Sequence, residues 1–250
     1  KIIKKNKFFI WIGLPTYNEE KAIKDVLTSI YHIKKKINVK IIIFNDGSTD
    51  ETLNNINKFK RKINIHIINN KRNQGLGIGI FSILKMFNQK SSNNDKLVLM
   101  DSDNTHNPNQ IIQMLKKASG QSSYVVIASR FKKRSKVSNI PILRNFLTYI
   151  AYFTFNLLFH TKGIKDFTSG YRMYDKKAVT NFFQNIGKNY SPLQSFAMQL
   201  EIILQIRKAN TIFLEIPIIL DYQKKPTKSK MKILKTVLSY LKLIILRIIK

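Results

Sequence analysis

Five short apolar runs, each closed by a cluster of polar and turn-forming residues, recur along the first half of the chain and restrict its fold more than any other feature. The runs are Phe8–Leu14, Val39–Phe44, Ile63–Ile68, Lys96–Met100 and Tyr124–Ala128. Between them lie stretches of helical periodicity near Glu19–Lys34, Asp50–Lys58, Gly75–Asn88 and Pro108–Lys117. A strand that is apolar at nearly every position has no solvent face, so both of its faces must be covered. Strands of that kind alternating with helices predict an α/β domain on a mostly parallel sheet flanked by helices. Ligands of such sheets sit beyond the carboxyl ends of the strands. Those ends carry PTYNEE, NDGSTDET, NNKRNQGLG, DSDNTH and SRF in turn, so one rim gathers the polar chemistry.

The fourth cluster stands out against the composition. With 44 Lys+Arg against 14 Asp+Glu, acids are scarce, yet Asp101 and Asp103 stand one residue apart at the end of LVLM. Two converging carboxylates repel each other unless a cation lies between them, which suggests a hard divalent metal. The alternative is an Asp-rich turn with Asn104 and Pro108. The net charge of +30 draws polyanions to the surface: nucleic acid, anionic lipid or phosphorylated substrates. The absence of Cys excludes disulfides and thiolate metal sites and fits a reducing compartment. Residues Lys1–Ile12 lack a long apolar stretch and a small-residue cleavage site, so no signal peptide is expected; Lys rather than Met at the first position implies residues upstream.

Seven motifs in order then carry a resemblance: LPTYNEE (Leu14–Glu20), NDGSTDET (Asn45–Thr52), the D-x-D at Asp101–Asp103, ASR (Ala128–Arg130), DFTSGYRMYD (Asp166–Asp175), E-x-P (Glu215–Pro217) and SKM (Ser229–Met231). Together they resemble family 2 glycosyltransferases of the GT-A fold, in the branch of dolichol-phosphate mannose synthases and undecaprenyl-phosphate sugar transferases. The resemblance runs from residue 8 to about residue 235. It implies a Rossmann-like GT-A domain over residues 1–225, a nucleotide-sugar donor, Mg2+ or Mn2+, and inverting transfer of one sugar.

By the same resemblance, Asp103 is the first metal ligand, with Asp101 beside it on metal or ribose. Thr105 stands where relatives usually carry Gln, a weaker ligand that leaves water or His106 to complete the shell. Pro15, Tyr17 and Glu19 match positions lining base and ribose, Asp46 reads the base edge, Phe44 forms an apolar wall, and Ser102 belongs to the donor pocket. Asp50 with Ser48 and Thr49 can also cap a helix. Arg130 matches a phosphate-binding arginine, and Lys224 falls where relatives carry Arg. Arg144 and Ser169 match the acceptor-phosphate side. Asp166 approaches the acceptor or, alternatively, is a structural acid paired with Arg172. The Gly75-Leu-Gly77-Ile-Gly79 run follows the third strand rather than the first, so it reads as a helix start packed close to the sheet, not as a dinucleotide fingerprint.

A phosphate monoester acceptor is already an anion at neutral pH, whereas a hydroxyl acceptor needs a base, for which Asp166 or Glu201 is the candidate. The Q-x-x-R-W motif of processive family 2 synthases is missing, and Trp11 is the single Trp. That favours one transfer onto polyprenyl phosphate, GDP-mannose or a UDP-sugar being the donor. Residues 226–250 read as a basic amphipathic helix lying on an anionic membrane surface, with Lys232, Lys235, Ser239, Lys242 and Lys250 on one stripe. Lys235 and Lys242 would sit near the centre of a spanning helix, which argues against spanning. Ile140–Phe159 is a second apolar stretch beside it, and the enzyme is expected at the cytoplasmic face as a peripheral protein. A saccharide or protein hydroxyl acceptor is the alternative. A basic nucleic-acid-binding protein is another, though no RNP-like aromatics or helix-turn-helix accompany the charge.

Overall fold

The computed structural model describes residues 7–227 and 232–248, so the SKM motif at Ser229–Met231 lies outside the described residues. In chain order the elements are β1 (Ile10–Thr16), α1 (Ile23–Ile33), β2 (Val39–Asn45), α2 (Thr52–Phe59), β3 (Ile65–Asn69), α3 (Leu76–Lys90), β4 (Lys96–Leu99), α4 (Gln110–Lys117), β5 (Tyr124–Ser129), β6 (Lys136–Ser138), α5 (Ile142–Phe159), β7 (Arg172–Asp175), α6 (Lys176–Ile186), α7 (Ala197–Ile206), β8 (Ile212–Pro217), β9 (Ile219–Asp221), a 3-10 turn (Tyr222–Lys224) and α8 (Ile233–Ile248). The five expected strands and four expected helices are all present, with ends shifted by a few residues.

The main sheet has seven strands in the order β3-β2-β1-β4-β7-β5-β8. Only β7 runs antiparallel to its neighbours, pairing Leu99 with Arg172 on one side and Ile127 with Arg172 on the other. Side chains alternate between two cores. Trp11, Ile42, Leu97, Leu99 and Val125 face α3, α6 and α7, whereas Ile12, Ile41, Val98 and Val126 face α1, α2 and α4. That two-sided burial explains the near-continuous apolar runs.

The reversal of β7 matters for the site. A parallel strand delivers its last residues to the functional rim; a reversed one delivers the residues that precede it. Asp166–Gly170 therefore reach the same rim as Asp101 and Arg130.

The glycine run opens α3. A Cβ on Gly77 would lie 1.9 Å from the Leu193 carbonyl oxygen, and one on Gly79 would meet the Phe44 ring at 2.9 Å. Close helix approach accounts for these glycines, as their position after the third strand predicts. Gly47 has a φ of +70° and its missing Cβ would strike the Arg72 backbone at 2.7 Å, so that turn needs glycine on both counts.

The C-terminal helix, expected as an appendage, packs on the domain. Leu243 is buried, the Tyr240 ring packs on Phe155 with centroids 5.2 Å apart, and Arg247 reaches Glu201 of α7.

Candidate active site

β4 ends at Leu99, and the loop after it folds back on itself. The Asp101 amide donates to Nδ1 of His106 at 3.0 Å, the Ser102 hydroxyl donates to the Pro15 carbonyl at 2.9 Å, and Asn104 takes a positive φ of 67°. Asn is among the side chains that tolerate that conformation. His106 stacks on Tyr171, centroids 4.8 Å apart, with Nε2 3.9 Å from the Asp101 carboxylate. Since Nδ1 accepts, the neutral ring carries its proton on Nε2 and faces Asp101 with a donor. His106 thus braces the loop.

Asp103 is nearly buried. Its Oδ1 accepts from the Thr105 amide (3.1 Å) and hydroxyl (2.6 Å), and its Oδ2 contacts Nζ of Lys225 at 2.7 Å. Burial alone would raise this carboxyl, but the Lys225 ammonium and the Thr105 hydroxyl outweigh it and hold it below the usual carboxylate range. The cation that the paired acids call for is, here, a lysine.

Arg130 follows β5 and forms a fork with Asp166: Nε to Oδ2 at 2.8 Å and Nη2 to Oδ1 at 2.6 Å, with the Arg130 amide also donating to Oδ2 at 2.9 Å. Asp166 also accepts from the Thr168 and Ser169 amides. Burial would raise the Asp166 carboxyl, but Arg130 holds it low; burial would lower the guanidinium, but Asp166 lifts it above its ordinary value. The expected alternative partner of Asp166, Arg172, is instead buried and donates to the Gln199 and Phe167 carbonyls at 2.6 and 2.7 Å. Glu215 of E-x-P accepts the Lys165 and Asp166 amides at 2.7 and 2.9 Å, fixing the loop from below, and burial raises its carboxyl.

The nucleotide-side motifs are laced together. The Glu19 amide donates to the Thr52 hydroxyl at 2.7 Å, and the Asn18 amide to the Ser48 hydroxyl at 3.0 Å. Asp50 accepts both the Thr52 amide at the start of α2 and the Glu20 amide across the loops, while the N-cap position of α2 is Glu51, with no side-chain cap. The Asp46 carboxylate accepts the Gln74 and Gly75 amides at 2.8 and 2.9 Å and thereby shapes the loop before α3. Phe44 is buried beneath α3 among Ile80 and Leu84.

One cavity of about 330 Å³ collects Asp101, Asp103, Thr105, His106, Arg130, Arg144 and Ser169 at its polar end. It continues between α5 and α8 along Leu147, Ile150, Ala151, Phe155, Val237, Leu241 and Ile244. Among the described residues lining it, the carboxylates are Asp101 and Asp103 alone. Pro15, Tyr17, Glu19, Phe44, Asp46 and Ser102 do not line it, and Lys224 lines a separate groove with Asp25, His32 and Asp221. Glu201 is fully buried, bonded to Gln205 and Arg247 and absent from the cavity wall, so it cannot serve there as a base.

Sequence reasoning missed Lys225, Thr168, Thr148 and Tyr222. Lys225 is the neighbour of the lysine selected, and a turn sends adjacent side chains to different sides. Thr168 and Thr148 bond Arg130 at 2.5 and 3.2 Å, and Tyr222 lies under the Arg144 guanidinium at 4.9 Å. No residue-level signal distinguishes these from surface polar groups.

The donor set suits a hard divalent cation. Asp101, whose side chain is 38% exposed, and Asp103, whose oxygens Thr105 and Lys225 engage, are the carboxylates of the cavity wall. Among the described residues no group of three or more His, Cys, Asp or Glu forms. Two carboxylates would leave the remaining positions of such a cation to phosphate and water.

Residues 11–183 match the profile of the family described as glycosyl transferase family 2. The chain is 27% identical over 230 residues to a dolichol-phosphate mannosyltransferase of Pyrococcus furiosus, covering 92% of this chain and 60% of that relative. It is 26% identical over 184 residues to a UDP-N-acetylglucosamine–dolichyl-phosphate N-acetylglucosaminyltransferase of Methanococcus voltae, covering 68% and 70% of the two chains. Among solved structures, glucosyl-3-phosphoglycerate synthase of Mycobacterium tuberculosis with UDP superposes at a TM-score of 0.66 and 13% identity, over 96% of this chain and 80% of that one. The same enzyme with Mn2+, UDP and phosphoglyceric acid also gives a TM-score of 0.66, at 15% identity, over 96% of this chain and 76% of that one. Identities this low speak for the fold alone, and that fold is GT-A.

Proposed function

The chain belongs to glycosyl transferase family 2, and on that premise we propose that it moves one sugar from a nucleoside diphosphate sugar to a polyprenyl phosphate. We place the reaction at the cytoplasmic face of a membrane, with Mg2+ or Mn2+ held by Asp101 and Asp103. The observation that carries this reading is the cavity with a charged head and an apolar tail. Arg144 and Arg130 stand at the head, and the facing walls of α5 and α8 form the tail. A phosphate with a hydrocarbon chain matches both ends at once.

Each residue then has a stated task. Asp166 locks the Arg130 fork, so Arg130 meets a phosphate without paying for reorganisation. Arg144 supports the acceptor anion. When bound, the divalent cation supplies neutralisation of the departing diphosphate. The acceptor phosphate carries its own nucleophilic oxygen, in keeping with a cavity wall whose carboxylates are both on the D-x-D loop. A saccharide or protein hydroxyl would need a base that Asp166, engaged by Arg130, does not offer.

The surface supports a membrane. On α5, Ile142, Phe146, Phe153 and Leu157 are exposed by 62–90%. On α8, Leu234, Leu238 and Ile245 are exposed by 56–73%. Among the described residues α5 alone has the length and mean hydropathy (1.2) of a spanning helix. Its Phe155 and Phe159 are nonetheless buried in the domain core, and Arg144 lies within it. Both helices therefore suit the interface, apolar faces down, with exposed Lys132, Lys133, Lys235 and Lys242 available to anionic headgroups at about 1 kcal/mol each.

The test uses a panel of GDP- and UDP-sugars with long-chain polyprenyl phosphate in anionic liposomes, against a short, water-soluble prenyl phosphate. Leu234→Ser/Leu238→Ser/Ile245→Ser should release the protein from liposomes and slow only the long-chain reaction. Equal slowing on both acceptors would refute the membrane role, and transfer to a hydroxyl acceptor with none to phosphate would refute the acceptor.

A further inference from the structure

We propose that Lys225 is the counter-ion that a divalent cation must displace from Asp103, so that loading the D-x-D loop requires the segment after β9 to withdraw. The proposal rests on the reading of Asp101 and Asp103 as cation ligands.

Both oxygens of Asp103 are engaged in this state. Thr105 takes Oδ1 with both its amide and its hydroxyl, and Lys225 takes Oδ2 at 2.7 Å. The pair is enclosed: the two side chains are 14% and 12% exposed. A metal–oxygen bond to Oδ2 of roughly 2.1 Å would put the ion within a few ångström of the Lys225 ammonium, where two cations repel strongly at low dielectric. Thr105 cannot be what yields, since its amide bond to Oδ1 is part of the loop's own turn. Lys225 can, because it is held from outside: it follows the 3-10 turn, whose cap is Asp221 accepting the Gln223 amide at 3.1 Å.

Two consequences follow. The buried acid is never without a positive partner, which removes the cost of an isolated charge. Cation entry is also tied to movement at the cavity wall, because Tyr222 of the same turn lies on Arg144. Lys225 is a positioning residue, acting through Asp103.

The experiment is a titration of Mn2+ into nucleotide-free protein, followed by the electron paramagnetic resonance of free Mn2+. Wild type and Lys225→Arg should bind weakly, and Lys225→Gln should bind at least about tenfold tighter, one charged hydrogen bond being worth that factor or more. Adding Asp103→Asn to Lys225→Gln should abolish the gain. Thermal unfolding gives a second readout, in which Mn2+ should stabilise Lys225→Gln more than wild type. Lys225→Gln binding Mn2+ no tighter than wild type, or a gain that survives Asp103→Asn, overturns the proposal. The underlying reading is checked separately: with Mn2+ and excess UDP or GDP, wild type should bind the ion and Asp103→Asn should not.

Discussion

Asp103→Asn is expected to lower the transfer rate by roughly two orders of magnitude or more, the scale of losing one preorganised charge against a leaving group. The substitution keeps the side chain's shape and its contact with Thr105, so the fold should survive. What it removes is the negative charge that Lys225 satisfies in this structure and that a divalent cation would use during transfer. Initial rates of nucleoside diphosphate release, with far-ultraviolet circular dichroism as the folding control, decide the matter. Wild-type protein in excess chelator should fall by a similar factor. Undiminished rates in either sample would exclude a metal-assisted reaction at this loop.

The second large effect is on stability. Arg247 of α8 donates to Glu201 of α7 through Nε at 3.0 Å and through Nη2, and the Glu201 side chain is 1% exposed. Arg247→Ala leaves that carboxylate beneath the helix without its cation, a change that costs about 3 kcal/mol. For a chain of this size the unfolding midpoint should drop by on the order of 10 °C. Adding Glu201→Gln should recover much of the loss, because the stranded charge disappears while the bond to Gln205 can persist. A drop of less than a degree or two in the single variant would mean that α8 is held by Tyr240 and Leu243 alone. The same anchoring makes truncation a poor probe of membrane binding: deleting residues 231–250 would uncover Glu201, so substitutions on the exposed leucines separate surface from scaffold.

Much of the fold is legible from the first half of the sequence because double burial leaves an unmistakable mark: β1, β2, β4 and β5 are apolar on both faces. The second half hides its elements. β7, RMYD, is fully buried, yet two of its four residues are charged; Arg172 donates to backbone carbonyls through both Nη atoms while its buried Nε finds no partner, and Asp175 accepts the Ser123, Tyr124 and Ala178 amides. α7 is buried on every side and so lacks the stripe that marks a helix. The rim positions follow from topology, since the ends of parallel strands must converge. Pairings do not follow. Asp166 and Arg130 were each readable as a site residue, but their mutual fork is a contact that no spacing encodes. Lys225 rather than Lys224 reaches Asp103 because of the phase of one short turn.

The place of β7 in the sheet also dictates an order of assembly. As the chain is synthesised, β1, β2, β3 and β4 can pair as soon as they emerge, for their strands are neighbours in the finished sheet. β5 cannot join them, because both of its neighbours, β7 and β8, come later. Until Arg172–Asp175 appears, the outer edge of β4 stays open along Leu97–Leu99, an apolar template for another chain, with Lys96 the only charge to discourage it. Closure comes when β7 enters between the two halves and pairs with β4 on one side and β5 on the other. The strand that joins the two halves is the one that brings Asp166 and Ser169 to the rim. The nascent chain thus gains the link between the halves of its sheet and the Asp166–Gly170 part of the rim together.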